Sequence, residues 1–250
     1  MNYLKYLERI KYKGDLNPSI ILLNNLQYLH LLHIPFENLD IHQGLEIKME
    51  NAFDKIVERG RGGFCYELNG TFFSLLTYLG FKAKLISGRV GNKDKGFGAE
   101  FDHMAIVVEI DDDAYLVDVG FGDFSAQPLR ICLNIVQEDR YGDFLIEKFD
   151  NTYLVVKKRK DHDFLPEYIF TEIPRIPANF REMCVYHQSS EKSNFTRNKI
   201  CSVALENGRI TITGERLKIR KGEQVIEKVF ADETEFHDQL RKYFNIVLGT

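Results

Sequence analysis

The chain has no tryptophan, and only 6 prolines and 4 cysteines among its 250 residues. Its cysteines (Cys65, Cys132, Cys184 and Cys201) lack C-x-x-C spacing, which argues against a zinc site and a disulfide framework. No apolar run approaches the length of a membrane span, and the N-terminus lacks a signal-peptide pattern. A cytoplasmic protein with no membrane partner is therefore expected. Neither sign of charge prevails: the formal net charge is -4, which gives no reason to expect nucleic acid. Internal repeats and low-complexity linkers are absent, and so is a glycine loop of the Walker type. What remains is ordinary for a globular protein, with 44% hydrophobic and 28% charged residues. Aromatic side chains come from 19 Phe and 12 Tyr, a supply that suits an aromatic-lined pocket.

The most informative stretch is Arg61-Gly62-Gly63-Phe64-Cys65-Tyr66-Glu67-Leu68-Asn69-Gly70. Beyond the cysteine, Leu68, Phe72, Leu75, Leu76 and Leu79 recur at helical spacing, and Gly80 is a stop signal. Cys65 is thus expected in the first turn of an apolar helix. Backbone N–H groups there are unpaired, and the helix dipole favours the thiolate, the nucleophilic form of cysteine. Residue type, position and the Gly-Gly approach point to a nucleophile at the mouth of a cleft.

A nucleophile needs a base, and the base needs an orienter. Phe101-Asp102-His103-Met104 opens a β-branched run to Ile110, and Tyr115-Leu116-Val117-Asp118-Val119-Gly120-Phe121-Gly122 follows an acidic turn. The two runs read as arms of a hairpin. A carboxylate set among Leu116, Val117 and Val119 is expensive unless paired, which makes Asp118 the candidate partner of His103. A simple two- or three-residue loop predicts Asp118 opposite Ile106 or Val107, too far along the strand for His103. Twist or a bulge would have to close that gap.

The coarse order is helices, then strands, then a final helix. Tyr3, Leu7 and Ile10 share a helix face; Asn17-Pro18 predicts the start of a helix to about His33. A short helix is expected around Phe53, Ile56 and Val57. Alternation predicts strands over Ala83–Val90, Met104–Ile110, Tyr115–Gly120, Phe144–Phe149 and Tyr153–Lys158, an antiparallel sheet or barrel. Glu206-Asn207-Gly208-Arg209 is a hairpin signal, and Asp232-Glu233-Thr234-Glu235 a capping box ahead of Phe236, Leu240, Phe244 and Val247. Lys93-Asp94-Lys95-Gly96 and Lys157-Lys158-Arg159-Lys160 read as solvated turns. His30 and His33 share a helix face but have no third ligand nearby, so no metal is expected. Arg61 is expected to brace the nucleophile loop, and Glu37 to form a salt bridge or hydrogen bond rather than to act in catalysis.

In these segments the chain resembles the arylamine N-acetyltransferase family. Ile34-Pro35-Phe36-Glu37-Asn38-Leu39 is similar to its N-terminal signature, and Arg61 to Asn69 to the segment carrying its catalytic cysteine. His103-Met104 and Val117 to Gly122 resemble the segments of its histidine and aspartate. Ser193-Asn194-Phe195, Cys201-Ser202 and Asn207 to Thr211 resemble its third domain. The resemblance implies an α+β fold with a cysteine-protease-like catalytic core. Its parts would be a helical N-terminal bundle (1–81), a central antiparallel β-barrel or sheet (82–189) and a C-terminal α/β lid (190–250). It implies a Cys65, His103, Asp118 triad that moves an acetyl group from acetyl-CoA, the co-substrate, to arylamines or arylhydrazines through an acetyl-cysteine.

Phe36, Phe64 and Phe121 flank the motifs and are candidate pocket walls. Ser193 and Phe195 are implied to meet the pantetheine arm of coenzyme A, with Gly91 as a further contact. Asp123-Phe124-Ser125-Ala126-Gln127-Pro128-Leu129 departs from the family, which has another glycine and a proline-rich loop there. The short C-terminal region predicts a more open cleft. The residues alone leave open an amide synthase with a longer acyl donor, a thiol hydrolase, and a silent binding protein. An intact triad argues against the last.

Overall fold

The computed structural model describes residues 1–92 and 96–249. The chain opens with helices α1 (Tyr3–Arg9) and α2 (Ile20–His33). The expected start of α2 moves from Asn17-Pro18 to Ser19, whose Oγ accepts the Leu22 N–H at 3.2 Å. The Asn17 amide is instead bound to Asp15. A two-residue strand β1 (Phe36–Glu37) and a short helix α3 (Leu39–His42) follow. The helix expected around Phe53 is a 3₁₀ turn (Met49–Asn51) and a π-helical turn (Asp54–Glu58). Helix α4 (Cys65–Tyr78) ends this part.

The central sheet contains β2 (Lys82–Asn92), β3 (Gly96–Phe97), β4 (His103–Ile110), β5 (Asp113–Val117), β6 (Leu129–Arg130), β7 (Val136–Gln137), β8 (Phe144–Lys148), β9 (Leu154–Lys160) and β10 (Asp163–Phe170). Its order is β6-β5-β4-β2-β10-β9-β8-β7, antiparallel throughout, with β3 on β2. The two outer strands approach one another. Gln137 Oε1 accepts the Arg130 N–H at 2.8 Å and its amide donates to Arg130 O at 2.9 Å, so a side chain draws the sheet toward a barrel. Inside lie Ile86, Ala105, Val107, Leu116, Phe124, Phe144, Val156, Tyr168 and Phe170. On the other face of β4, Met104, Ile106 and Val108 join the helical core with Leu68, Phe72 and Leu76 of α4. Strand β4 is thus buried on both faces, which accounts for its unbroken apolar run.

Lys157 to Lys160 is not a solvated turn. It lies within β9, and the period of two places Lys158 inward, opposite Phe144. Of the other basic turn, residues 93–95 lie outside the described residues.

Helices α5 (Arg181–Ser189) and α6 (Asn194–Arg197) lead into strands β11 (Ile200–Leu205), β12 (Gly208–Thr213), β13 (Arg216–Lys221) and β14 (Gln224–Val229), and then helix α7 (Glu233–Phe244). The second sheet has the order β1-β11-β12-β13-β14. It pairs Phe36 with Ser202, so a segment near the N-terminus forms its edge. The β11–β12 hairpin forms as expected, but Glu206 and Asn207 make the turn. Gly208 is needed for close approach, since a Cβ there would lie 1.9 Å from Arg220 O. Asp232 caps α7 by accepting the Glu235 N–H at 2.9 Å; Glu235 reaches back to the Ala231 N–H rather than to the cap residue itself.

Candidate active site

Cys65 is the first residue of α4, and its side of the helix is fixed by the loop before it. Gly63 O accepts the Glu37 N–H at 2.8 Å and Gly63 N–H donates to Pro35 O at 3.2 Å. A Cβ at Gly62 would stand 2.2 Å from Pro35 O, so only glycine allows the loop to lie against Pro35 to Glu37. Phe64 has no side-chain acceptor to cap the helix. Glu67 supplies half of a capping box, its Oε2 accepting the Phe64 N–H at 2.8 Å.

Beneath the loop is a buried cluster of charges. Lys55 Nζ lies 2.8 Å from Asp40, 3.1 Å from Glu67 and 3.5 Å from Glu37. Arg61 Nη2 bonds Glu37 and Asp40, both at 2.8 Å. Arg61 braces the loop before Cys65, and Glu37 forms the salt bridge expected of it. Three carboxylates face two cations, and the imbalance falls on Glu67. Burial pushes its carboxyl up to about 7, with Lys55 opposing.

His103 begins β4 and Asp118 follows the end of β5. The ladder pairs Ile110 with Asp113 and Ile106 with Val117, so the hairpin turn is Asp111-Asp112. One step beyond Val117, Asp118 comes level with Ala105 rather than with Ile106 or Val107. His103 is then a diagonal neighbour on the same face, within side-chain reach. Asp118 Oδ2 lies 2.6 Å from His103 Nε2, and no bulge is needed. Two residues before His103 the backbone is strained: Phe101 has φ 65. Its N–H donates to Ser87 Oγ at 2.7 Å and its carbonyl accepts the Tyr66 hydroxyl at 2.8 Å.

Asp118 is fully buried but richly bonded. Its Oδ1 accepts from Asn69 Nδ2 at 2.9 Å, Gly120 N–H at 2.9 Å and Phe121 N–H at 3.0 Å, and its Oδ2 from the Tyr168 hydroxyl at 3.0 Å. Burial works against its charge, but His103, Asn69 and Gly120 outweigh it and hold the carboxyl below the usual range. The dyad is therefore anchored on an ionised carboxylate. An ionised carboxylate only accepts, so Nε2 carries the ring proton and Nδ1 is left for the cleft.

Asn69, one helical turn after Cys65, also bonds Met104 O at 2.6 Å and the Val119 N–H at 2.9 Å. It clamps both hairpin arms to the cysteine helix. Gly120 completes the fit, because a Cβ there would stand 2.9 Å from Cys65 Cα. Cys65 itself is only 4% exposed. Burial pushes its thiol up, reinforced by Cys184, Asp118 and Asp102, and the Tyr66 N–H opposes this. The lowering expected from the helix start is thus opposed by burial.

Cys65 and His103 line one cleft of about 870 Å³. Phe36, Phe121, Gly91, Ser193 and Phe195 line the same cleft. Phe64 does not belong to its wall. It is fully buried behind Cys65, 4.7 Å from the Phe195 ring centroid and 5.4 Å from that of Tyr66. Position N-terminal to a helix turned this side chain into the core.

Several cleft residues carried no expectation. His187 Nε2 lies 3.0 Å from Asp102 Oδ1, a second His–Asp pair, oblique to a hydrogen bond. Arg209 opens on the cleft from β12. His30 and His33 are occupied elsewhere, with the Tyr6 hydroxyl and Leu29 O. Among the described residues no group of three or more His, Cys, Asp or Glu could hold a metal ion.

A cysteine and a base on one apolar cleft, with a buried carboxylate behind the base, have the make-up of a thiol-dependent group-transfer enzyme. The chain belongs to the arylamine N-acetyltransferases: the N-acetyltransferase family profile matches residues 19–250. Arylamine N-acetyltransferase 1 of Bos taurus is 31% identical over 97% of this chain and 93% of its own. The Mycobacterium marinum arylamine N-acetyltransferase, solved in complex with CoA, is 28% identical with a TM-score of 0.90, covering 98% of this chain and 93% of that one. A Bacillus cereus arylamine N-acetyltransferase, described as having a Cys-His-Glu catalytic triad, is 27% identical with a TM-score of 0.90, covering 99% of this chain and all of its own. No helix among the described residues is long and apolar enough to cross a membrane.

Proposed function

We propose that Cys65, His103 and Asp118 are the catalytic triad of this acetyl-CoA-dependent arylamine N-acetyltransferase. The observation that carries the assignment is the 2.6 Å contact between His103 Nε2 and a carboxylate bonded on every side, with Cys65 on the same cleft.

Cys65 Sγ attacks the thioester carbonyl of acetyl-CoA as His103 Nδ1 takes its proton. The carbon–sulfur bond to coenzyme A then breaks, and the proton passes to the departing thiolate. In the second half, the amine nitrogen attacks the acetyl-cysteine, the new N–C bond forms and the S–C bond breaks. His103 accepts the amine proton and returns it to Cys65. Asp118 keeps the ring in one tautomer and stabilises the imidazolium. Aromatic amines are weakly basic and arrive uncharged at neutral pH. Burial raises the thiol, and His103 is the base on the same cleft that can take its proton. The unpaired N–H groups in the first turn of α4 are suited to receive the tetrahedral oxyanion.

Phe36 and Phe121 are assigned to the walls that keep water off the acyl-enzyme. Ser193, Phe195 and Gly91 are assigned to the pantetheine arm of coenzyme A, and all three line the cleft that holds Cys65. Residues 1–81, 82–189 and 190–250 serve as nucleophile, base and lid units, in a cytoplasmic enzyme that needs neither membrane nor nucleic acid.

Initial rates over a grid of acetyl-CoA and an arylamine test the reading. Parallel double-reciprocal lines support it. Intersecting lines, or transfer only from longer acyl donors, contradict it, the latter favouring an amide synthase.

A further inference from the structure

Arg209 lines both the cleft and a narrow slot it shares with Phe36, Gly120, Phe121 and Ser202. Its side chain is only 14% exposed. Nη1 donates to Ser202 Oγ at 3.1 Å, and among the described residues this is the one hydrogen bond of the guanidinium. Nε and Nη2 share one edge of the guanidinium plane, the edge that receives a carboxylate side-on. The nearest carboxylate, Asp123, has its Oδ1 3.9 Å from Nε, beyond hydrogen bonding.

Asp123 is also oversubscribed. It is 53% exposed, and Lys158 Nζ and Arg220 Nη2 approach the same oxygen at 3.4 and 3.3 Å. Three cations therefore face one loosely held carboxylate. Two other acids near Lys158 are spent elsewhere. Asp139 accepts the N–H groups of Ala126, Gln127 and Tyr141, and Glu167 pairs with Lys160 at 2.8 Å. Burial works against the charges of both Arg209 and Lys158, and Asp123 opposes it. Among the described residues Nε is enclosed and without a partner, whereas Nη2 is unpaired and not enclosed, so the cation is an incomplete pair that an anionic ligand could complete through Nη2.

The position narrows the ligand. Gly120 borders the slot and touches the nucleophile, its ideal Cβ 2.9 Å from Cys65 Cα. Arg209 thus shares the slot with the glycine that packs on the Cys65 backbone, on the side of the cleft where the reacting carbon is bound. The phosphates of coenzyme A lie at the far end of the pantetheine arm from that carbon, so they are not the anion this position fits.

We propose that Arg209 is a specificity-determining residue that takes a carboxylate carried by one of the two substrates, either on the ring of the aromatic amine or at the distal end of the acyl group. This rests on the acyltransferase reading above.

Two arms distinguish the sources. In the acceptor arm, acetyl-CoA is paired with 4-aminobenzoate or its neutral amide. In the donor arm, the neutral amide is paired with succinyl-CoA or butyryl-CoA. The readout in each arm is the ratio of kcat/KM for the carboxylated over the neutral substrate. Arg209→Gln should lower that ratio about 10-fold or more in one arm, and that arm names the carrier. Arg209→Lys, which keeps the charge but not the fork, should give an intermediate ratio; it also serves if the glutamine variant does not fold. Ratios unchanged in both arms would overturn the proposal. Acetylation of the neutral amide by the wild type tests the acyltransferase reading separately, because failure there sinks that reading and this proposal with it.

Discussion

Asp118 Oδ2 lies 2.6 Å from His103 Nε2, although the last ladder pair between their strands is Ile106 with Val117. The contact is diagonal, and Asn69, Tyr168 and two backbone N–H groups hold the carboxylate in place for it. Asp118→Asn keeps an oxygen for the Oδ1 donors but turns an NH₂ toward Nε2–H and the Tyr168 hydroxyl. The expected result is a loss of kcat/KM on the order of 10²- to 10⁴-fold. Denaturant unfolding should show a destabilisation of about 1–3 kcal/mol. Wild-type activity in this variant would remove Asp118 from the catalytic assignment.

Gly120→Ala should damage the site without touching a titratable group. The added methyl would meet Asn69 Nδ2 at 2.7 Å, Cys65 Cα at 2.9 Å and Cys65 O at 3.0 Å. Two of these are backbone atoms of the helix start and yield only if α4 shifts. The variant should be destabilised by about 1–3 kcal/mol and lose most of its turnover. Unchanged kinetics would show that the hairpin and the helix need not fit so closely.

Much of this was legible in the sequence, and the reason is locality. Leu68, Phe72 and Leu75 announce α4, and the run from Met104 to Ile110 announces β4, within single elements. Asn69 was also readable in principle: it is an amide one turn after the cysteine on an apolar face, and such a group needs partners. The partners of the dyad from elsewhere in the chain were not. Tyr168 reaches Asp118 from β10, whose alternation is broken by a register shift between Pro166 and Tyr168. Phe36 was a wall candidate from its motif, but the means by which it enters the cleft, pairing of β1 with β11 more than 160 residues away, was not visible. Lys158 looked like part of a solvated basic run, yet strand geometry turns every second residue inward, and its carboxylate partner lies on a distant loop.

Cys65 reactivity should depend on His103. Burial holds the thiol up and the Tyr66 N–H does not offset it, so a proton acceptor is required at neutral pH. Replacing His103 by Gln should slow alkylation of Cys65 by iodoacetamide on the order of 100-fold. An unchanged rate would mean that the helix terminus alone generates the thiolate.

Glu67 gives a signed pH dependence. Its folded value is raised to about 7 from an ordinary 4.5, so between these values the folded state holds a proton that the unfolded state lacks. The associated stability is fully present below 4.5 and is lost as pH rises through about 7. Glu67→Gln removes this titration while keeping an acceptor for the Phe64 N–H. The stability of wild type minus variant should therefore fall from pH 4.5 to about 7 and level off above. Urea unfolding across that range checks it, and a difference that rises with pH would contradict the assignment.

The most direct test of the central claim is intact-protein mass after brief incubation with acetyl-CoA and no amine, run on wild type and Cys65→Ala. The account predicts a single acetyl gain that requires Cys65 and disappears when an arylamine is added. No gain in the wild type, or an equal gain in the alanine variant, would contradict it.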